Sequence, residues 1–370
     1  MSFDLKRHTI LLTVAGSRAY GTHTDTSDLD MKGVCVPPRN FYLGIDKFEQ
    51  ADKPGTVEPF LAGLPENLRA VAEANGAEGT VYEVRRFLDL ASGANPNILD
   101  VLFCRDEDVL LTTPEGDLLR ANREAFLTKK CLMTFVGYAD AQFKRIAGHR
   151  RYLFNPPDHA PTREEYGLAT RAEMPQDQIM AAMALVRKKV DSWSIDFVGM
   201  DEATKIFIQD QIEQMLAEIE MGTDVRYQAA GRLLGYEDNF MQLIDNQRRY
   251  DQAVREWSSF HKWKVERNKK RAALETASGF DTKHAMHLVR LILAAEEIFT
   301  YGRLSVHSGQ VAFLNEIRTG KHPYQWLVAW FQERRMNLAK IAAHSSLPDR
   351  VDQKWLGNLA QGIVESRLGL

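Results

Sequence analysis

Cysteine is scarce in this chain of 370 residues, with Cys35, Cys104 and Cys131 as the full set. The number is odd and the separations lack metal-ligand spacing. That argues against a disulfide framework or structural zinc and favours a reducing, cytoplasmic setting. Long apolar runs are also missing, since the longest fall far short of the roughly 20 residues a membrane helix needs. The opening stretch MSFDLKRHT carries charges and no long apolar run with a small-residue cleavage site, so a secretory signal is not expected. Charge of one sign does not dominate either. At a net −3 the chain has no global attraction to polyanions, so any nucleic-acid contact must use a local basic patch. No internal repeat or low-complexity segment is visible. What is present, 44% hydrophobic and 26% charged residues, is ordinary for a soluble globular protein. The length suits one large or two ordinary domains.

The first third mixes strand and helix signals. Residues 9–15 (TILLTVA) form a short apolar, β-branched run bounded by Gly16 and read as a buried strand. Residues 28–36 (DLDMKGVCV) stop at Pro37-Pro38 and read as a second strand, and residues 78–84 (EGTVYEV) as a third. The Gly-, Pro- and Glu-rich stretch 52–67 is expected to be a surface insertion. Short helices are expected over 85–92 and 97–103, the second after the Asn95-Pro96 turn, and a last strand over 109–113. From about residue 115 the pattern is helical, with long candidates at 201–220, 239–277, 282–300 and 323–343 and a Pro-containing loop at 155–175. The fold class expected is α+β, with a catalytic module over 1–125 and an α-helical domain over 126–370.

The informative segment is GSRAYGTHTDTSDLD, Gly16 to Asp30. Gly16 has no Cβ, so a phosphate could approach the backbone there. The N–H groups and hydroxyl at Ser17 could then donate to phosphate oxygens. Asp28 and Asp30 are two apart, so on a strand both carboxylates project from one face. Such a pair beside a phosphate cradle suits hard, oxygen-seeking cations such as Mg²⁺ or Mn²⁺. The bland alternative is a plain strand entry in which Ser27 and the aspartates cap loops.

The segment resembles the GS…(S/T)DxD signature of the DNA polymerase β superfamily of nucleotidyltransferases. Gly16 and Ser17 match its glycine-serine pair, and Asp28 and Asp30 its metal-binding aspartates. More narrowly, the chain resembles the RlaP/YcgL-like branch, nucleotidyltransferases associated with RNA repair. The pieces that carry this are GSRAYG (16–21), SDLD (27–30), VYEVRRFLDLASGANPNILDVLF (81–103) and GFDTKHAMHLVRLI (279–292). The resemblance implies a small mixed sheet with helices on one side and a nucleoside triphosphate as substrate. It also implies a third acid from a neighbouring strand. Glu78 and Glu83 are the candidates, and their opposite parity puts them on opposite faces of a regular strand. Glu78 is favoured, because Glu83 adjoins Arg85 and Arg86 and reads more simply as a salt-bridged helix entry.

In the helical half, residues 281–300 read as a helix with Asp281 or Thr282 as N-cap. Lys283, His287 and Arg290 share one face, which could receive the outgoing phosphates, while Met286, Val289 and Leu293 share an apolar one. The resemblance singles out the Lys283-His284 pair without assigning its task. Arg18 could also meet a triphosphate, or equally cover the sheet edge. From Arg248 to Arg271 there are nine Lys or Arg against three acids, interleaved with Trp257, Phe260 and Trp263. This suits an RNA strand; the alternative is a solvated face with its aromatics turned into the core. A second basic cluster, Lys144, Arg145, His149, Arg150 and Arg151, could extend such a surface.

The reading that follows is a metal-dependent transfer of a nucleoside monophosphate from a triphosphate to a hydroxyl, most naturally a tRNA or other RNA 3′ end, with release of pyrophosphate. Asp28, Asp30 and Glu78 would hold the metals, while Gly16, Ser17, Arg18, Lys283 and His284 would contact the nucleotide. Two alternatives stand beside it: AMPylation-type transfer to a protein or small molecule, and a non-catalytic RNA- or nucleotide-binding protein. The oligomeric state is not legible in the sequence.

Overall fold

A computed structural model of the protein describes residues 3–172, 174–191, 225–267 and 269–369. They form two compact units. One combines residues 1–148 with 274–370, and the other spans 149–273.

The first unit is built on a five-stranded mixed sheet in the order β3-β4-β2-β1-β5. The strands are β1 (Thr9–Val14), β2 (Leu29–Cys35), β3 (Gln50–Ala51), β4 (Ala77–Glu83) and β5 (Val109–Thr112). β1 (TILLTV) is buried along its whole length, which its β-branched, apolar sequence suits, and it pairs antiparallel with β2 and β5. β2 and β4 run parallel, and their register sets Asp30 opposite Glu78. This is the α+β architecture expected, with the three long strands where the periodicity places them.

The two faces of the sheet are covered differently. On one, Leu12, Leu29, Met31 and Val81 pack under Val57, Phe60, Leu64 and Ala72. The stretch 52–67 is therefore not merely a surface insertion. Its Gly, Pro and Glu content masks three apolar residues, Val57, Phe60 and Leu64, which are buried. A helix, Glu66–Asn75, that its local sequence did not announce follows it. On the other face, Ile10, Val34 and Val36 join Val84, Phe87, Ile98 and Leu99 in a core that continues into the helix Thr282–Tyr301. Met286, Leu288, Val289, Ile292, Ile298 and Phe299 of that helix are buried, each contributing about 1.5–3 kcal/mol by leaving water. Asp281 is its N-cap, accepting from the His284 N–H at 3.0 Å. Helices Tyr324–Ala343 and Gln353–Leu368 add to the same core. The anticipated division at residue 125 thus falls inside a unit in which 126–148 and 274–370 pack with the sheet.

In the second unit, helices Gln176–Asp191, Val225–Leu233 and Asp238–Glu266 share a small core of Ala182, Val186, Tyr227, Ala230, Met241 and Ile244. The helix expected over 239–277 is two, Asp238–Glu266 and Lys269–Ser278. The candidate at 201–220 lies outside the described residues. No helix among the described residues is long and apolar enough to cross a membrane.

Candidate active site

β1 ends at Val14 and the chain turns through the short helix Gly16–Ala19 before returning along β2. Gly16 takes φ +60°, and a Cβ there would collide with Asp30 Oδ2. Glycine is required because the Asp30 carboxylate fills the space beside it. The Asp30 carbonyl accepts from Ala15 N–H at 2.8 Å, which locks the turn to β2.

Asp28 precedes β2, Asp30 lies on it, and Glu78 is the parallel-register partner of Asp30 on β4. Carboxylate oxygens of all three lie within 4.8 Å of one another, with Asp28 and Glu78 exposed and Asp30 half-buried. Burial pushes the Asp30 carboxyl up to about 6, and the like charges of Asp28 and Glu78 push the same way, against the pull of Lys283 and Lys32. Three acids placed so that one resists ionisation fit a divalent cation, because the cation removes the repulsion that raises Asp30. Glu83, the other candidate, points elsewhere. It is buried, accepts from the Arg86 N–H at 3.0 Å and from Tyr42 Oη at 2.9 Å, and pairs with Arg85 at 3.0 Å. It is the helix-entry residue its neighbours suggested.

The loop carrying Asp28 is held from two sides. Arg18 donates to the Ser27 carbonyl at 2.7 Å and to the Asp28 carbonyl at 3.1 Å. Asn75, at the end of Glu66–Asn75, donates to the carbonyls of Asp25 at 2.8 Å and Ser27 at 3.1 Å. Arg18 therefore spends donors on the backbone of the loop that carries Asp28. Asn75 was invisible in the sequence because its helix was.

A buried network fixes the turn to the helical part of the unit. Tyr20 Oη donates to Asp100 Oδ2 at 2.7 Å, and Arg290 Nη2 lies 3.3 Å from the same oxygen, with its guanidinium 3.8 Å from the centre of the Tyr20 ring. Burial pushes the Tyr20 hydroxyl's pKa up, so it remains a donor. Asn95 caps Pro96–Leu102 and so positions Asp100. Parts of three of the sequence pieces that carry the resemblance, GSRAYG, NPNILD and KHAMHLVR, meet at this one point. Arg290, which the sequence placed on a possible phosphate-binding face, is instead the buried counter-ion of Asp100.

Lysine charge reaches Asp30, and further cations gather around His287. Lys283 is half-buried and close enough to Asp30 to favour its ionised form. His287 is held down to about 3, first by burial and then by Arg290, Lys283, His284 and Arg318. Arg318, from the end of Val311–Arg318, donates to the carbonyl of buried Thr22, and with Arg18 it lowers the pKa of His23, after burial. His284 is engaged on both ring nitrogens, Nδ1 at 2.8 Å from Gln142 Oε1 and Nε2 at 3.5 Å from Asp281 Oδ2. Sequence reasoning missed Arg318, which lies far from every motif along the chain. It also missed Lys32, although two-residue parity with Asp28 and Asp30 could have found it. The Lys32 ammonium donates to the Asn97 carbonyl at 3.2 Å.

The basic stretch of the second unit is more ordinary. Phe260 is buried, and Phe260 and Trp263 pack on Tyr152 with ring centres 5.4 and 5.6 Å away. Arg255 and Lys262 are exposed, and Arg267 lies over the Trp263 ring. The side chains of Lys269, Lys270 and Arg271 lie outside those described.

The chain is similar to an uncharacterized 38.9 kDa protein of the nrdC-mobD intergenic region of Enterobacteria phage T4. The two are 22% identical over 360 residues, 94% of this chain and 93% of the relative. No solved structure matches it. Residues 4–155, which contain the sheet, the Gly16 turn and the three carboxylates, match the family model RlaP, RNA repair pathway DNA polymerase beta family. Through this part the chain is similar to the polymerase β-like nucleotidyltransferases.

Proposed function

We propose that the protein transfers a nucleoside monophosphate from a nucleoside triphosphate to the 3′ hydroxyl of an RNA, a tRNA being the most natural case, and releases pyrophosphate. The observation that carries this is the convergence of the Asp28, Asp30 and Glu78 carboxylates, with the cations Lys283 and Lys32 acting on Asp30. Asp28, Asp30 and Glu78 would hold Mg²⁺ or Mn²⁺. When bound, such an ion would activate the attacking hydroxyl and steady the leaving group.

The chain's own residues supply the rest. Gly16 lets Asp30 sit against the turn, and the backbone at Ser17 offers donors to the phosphates. Arg18 and Asn75 fix the carbonyls around Asp28, so its carboxylate is aimed before substrate arrives. Lys283 is the group best suited to neutralise outgoing pyrophosphate. Glu78 lies on the exposed side of the cluster, where an acceptor hydroxyl would enter. In this division of labour residues 1–125 carry the chemistry, while 126–370 supply nucleotide and RNA contacts. Arg255 and Lys262 would meet RNA phosphates, and the aromatics between them support the fold instead of stacking bases.

Incubation with α-labelled nucleoside triphosphates, Mg²⁺ or Mn²⁺ and total RNA tests this reading. Label in RNA, lost in Glu78→Gln while the fold is kept, is the expected result. Label in protein would redirect the same chemistry to AMPylation. No transfer to any acceptor, with tight RNA binding retained in an Asp28→Ala/Asp30→Ala variant, would leave a binding protein.

A further inference from the structure

A cleft of about 390 Å³ opens beside the Gly16–Thr22 turn, on residues that the chemistry above does not use. Phe103, Arg123, Val306 and His307 are among those that line it. Phe103 and Val306 pack together with Ala19 and Tyr20 of the turn. His307 lies against Gly21, where a Cβ would come within 2.6 Å of its Nε2 and where φ is +77°. The cleft is therefore formed by residues 103–106, Arg123 and a loop that follows Thr282–Tyr301, and its Phe103, Val306 and His307 back onto the turn that approaches Asp30.

Its charges do not cancel. Arg105 is neutralised by Asp108 at 2.9 Å and Glu107 at 3.0 Å, and Asp106 is taken by Arg120 at 2.8 Å. Arg123 is half-buried and has no ion pair or hydrogen bond among the described residues, and its guanidinium lies 5.7 Å from the centre of the Phe103 ring. The His307 imidazole likewise has no hydrogen-bond partner among them. A half-buried guanidinium without an acid is an open anion site, and Arg suits the planar, two-pronged recognition of a phosphate. Beside it stands the half-buried Phe103 ring, on which a base can lie, backed by buried Leu304 and Val306. A volume near 390 Å³ is within the range of small-ligand sites.

We propose that this cleft is a second nucleotide-binding site, separate from the triphosphate site, which takes the base of one nucleotide against Phe103 and its phosphate on Arg123. Its occupant is a nucleotide of the single-stranded acceptor RNA, so the assignment rests on the RNA-transfer reading above. A free nucleoside monophosphate would present the same chemistry, and the test separates the two sources.

The test measures binding without turnover. A fluorescein-labelled RNA hexamer is titrated with the full-length protein in EDTA, with AMP as competitor, for the wild type, Arg123→Ala, Arg123→Lys and Arg350→Ala. The last removes an equal charge from an exposed position of the same unit. Hexamer affinity should fall about tenfold in Arg123→Ala, the loss expected of one charge-assisted contact. It should recover in part in Arg123→Lys and be unchanged in Arg350→Ala, with equal melting temperatures throughout. Binding of AMP alone with the same dependence on Arg123 would keep the site and assign it to a free nucleotide. Wild-type affinity for both ligands in Arg123→Ala, or an equal loss in Arg350→Ala, would overturn it. A wild type that binds the hexamer through Arg123 but transfers nothing would sink the transfer reading alone.

Discussion

Replacing Asp100 with alanine removes the hub of the buried network behind the Gly16–Thr22 turn, and its cost can be worked from the structure. Tyr20, Asp100 and Arg290 are only 4%, 5% and 7% exposed. Asp100→Ala leaves the Arg290 guanidinium buried without its counter-charge, a loss of about 3–5 kcal/mol for breaking a buried pair. It also strips the Tyr20 hydroxyl of its 2.7 Å acceptor, a desolvation penalty of about 1–3 kcal/mol that overlaps the first and does not simply add to it. In a unit of this size each kcal/mol moves the melting temperature by about 2–4 °C, so a fall of about 6–20 °C follows. Asp100→Ala/Arg290→Met removes both charges and should cost less than Asp100→Ala alone, because no ion is left stranded. Tyr20→Phe, which leaves the ion pair intact, should cost about 1.5–3 kcal/mol. Thermal unfolding of the four proteins measures all of this. Asp100→Ala melting within 2 °C of the wild type, or a double variant less stable than the single, would refute a stranded charge as the cause.

Three further outcomes follow from the same structure. Gly16→Ala places a Cβ against Asp30 Oδ2 at a φ of +60°. It should cost about 1–2 kcal/mol of backbone strain and abolish transfer, whereas unchanged activity in the labelling assay would mean that Asp30 need not sit there. Lys283→Ala should raise the KM for nucleoside triphosphate about tenfold through one lost phosphate contact while melting normally, and steady-state kinetics would expose an unchanged KM. His287 has a folded pKa depressed to about 3 from its ordinary 6.5, so below pH 6.5 the unfolded chain binds a proton that the native state refuses. Stability is then lost as pH falls from 6.5 towards 3, by up to about 1.4 kcal/mol per pH unit. His287→Gln should flatten that slope in urea titrations between pH 6.5 and 4, and an identical slope would count against it.

The parts of the site legible in the sequence were those governed by local rules. Two-residue parity put Asp28 and Asp30 on one side of a strand, and opposite parity separated Glu78 from Glu83; the register of β2 on β4 then set Glu78 against Asp30. The Asn95-Pro96 turn and the Asp281 cap were readable for the same reason, since a cap acts on N–H groups two or three residues away. What was not legible depends on contacts distant in sequence. Arg290 looked like a phosphate ligand because its helical face is cationic, and only the fold brings Asp100 under it. Arg318 reaches the Thr22 carbonyl from nearly three hundred residues away. The stretch 52–67 read as surface because its turn-forming composition outweighed three apolar residues that the sheet buries.

The central claim is that three carboxylates converge to hold a divalent cation, and Mn²⁺ titration followed by electron paramagnetic resonance tests it most directly. The wild type should bind Mn²⁺ at neutral pH, and Asp30→Asn, folded and otherwise unchanged, should bind at least about tenfold more weakly. Equal Mn²⁺ affinity in the two proteins would mean that Asp28, Asp30 and Glu78 do not form a metal site.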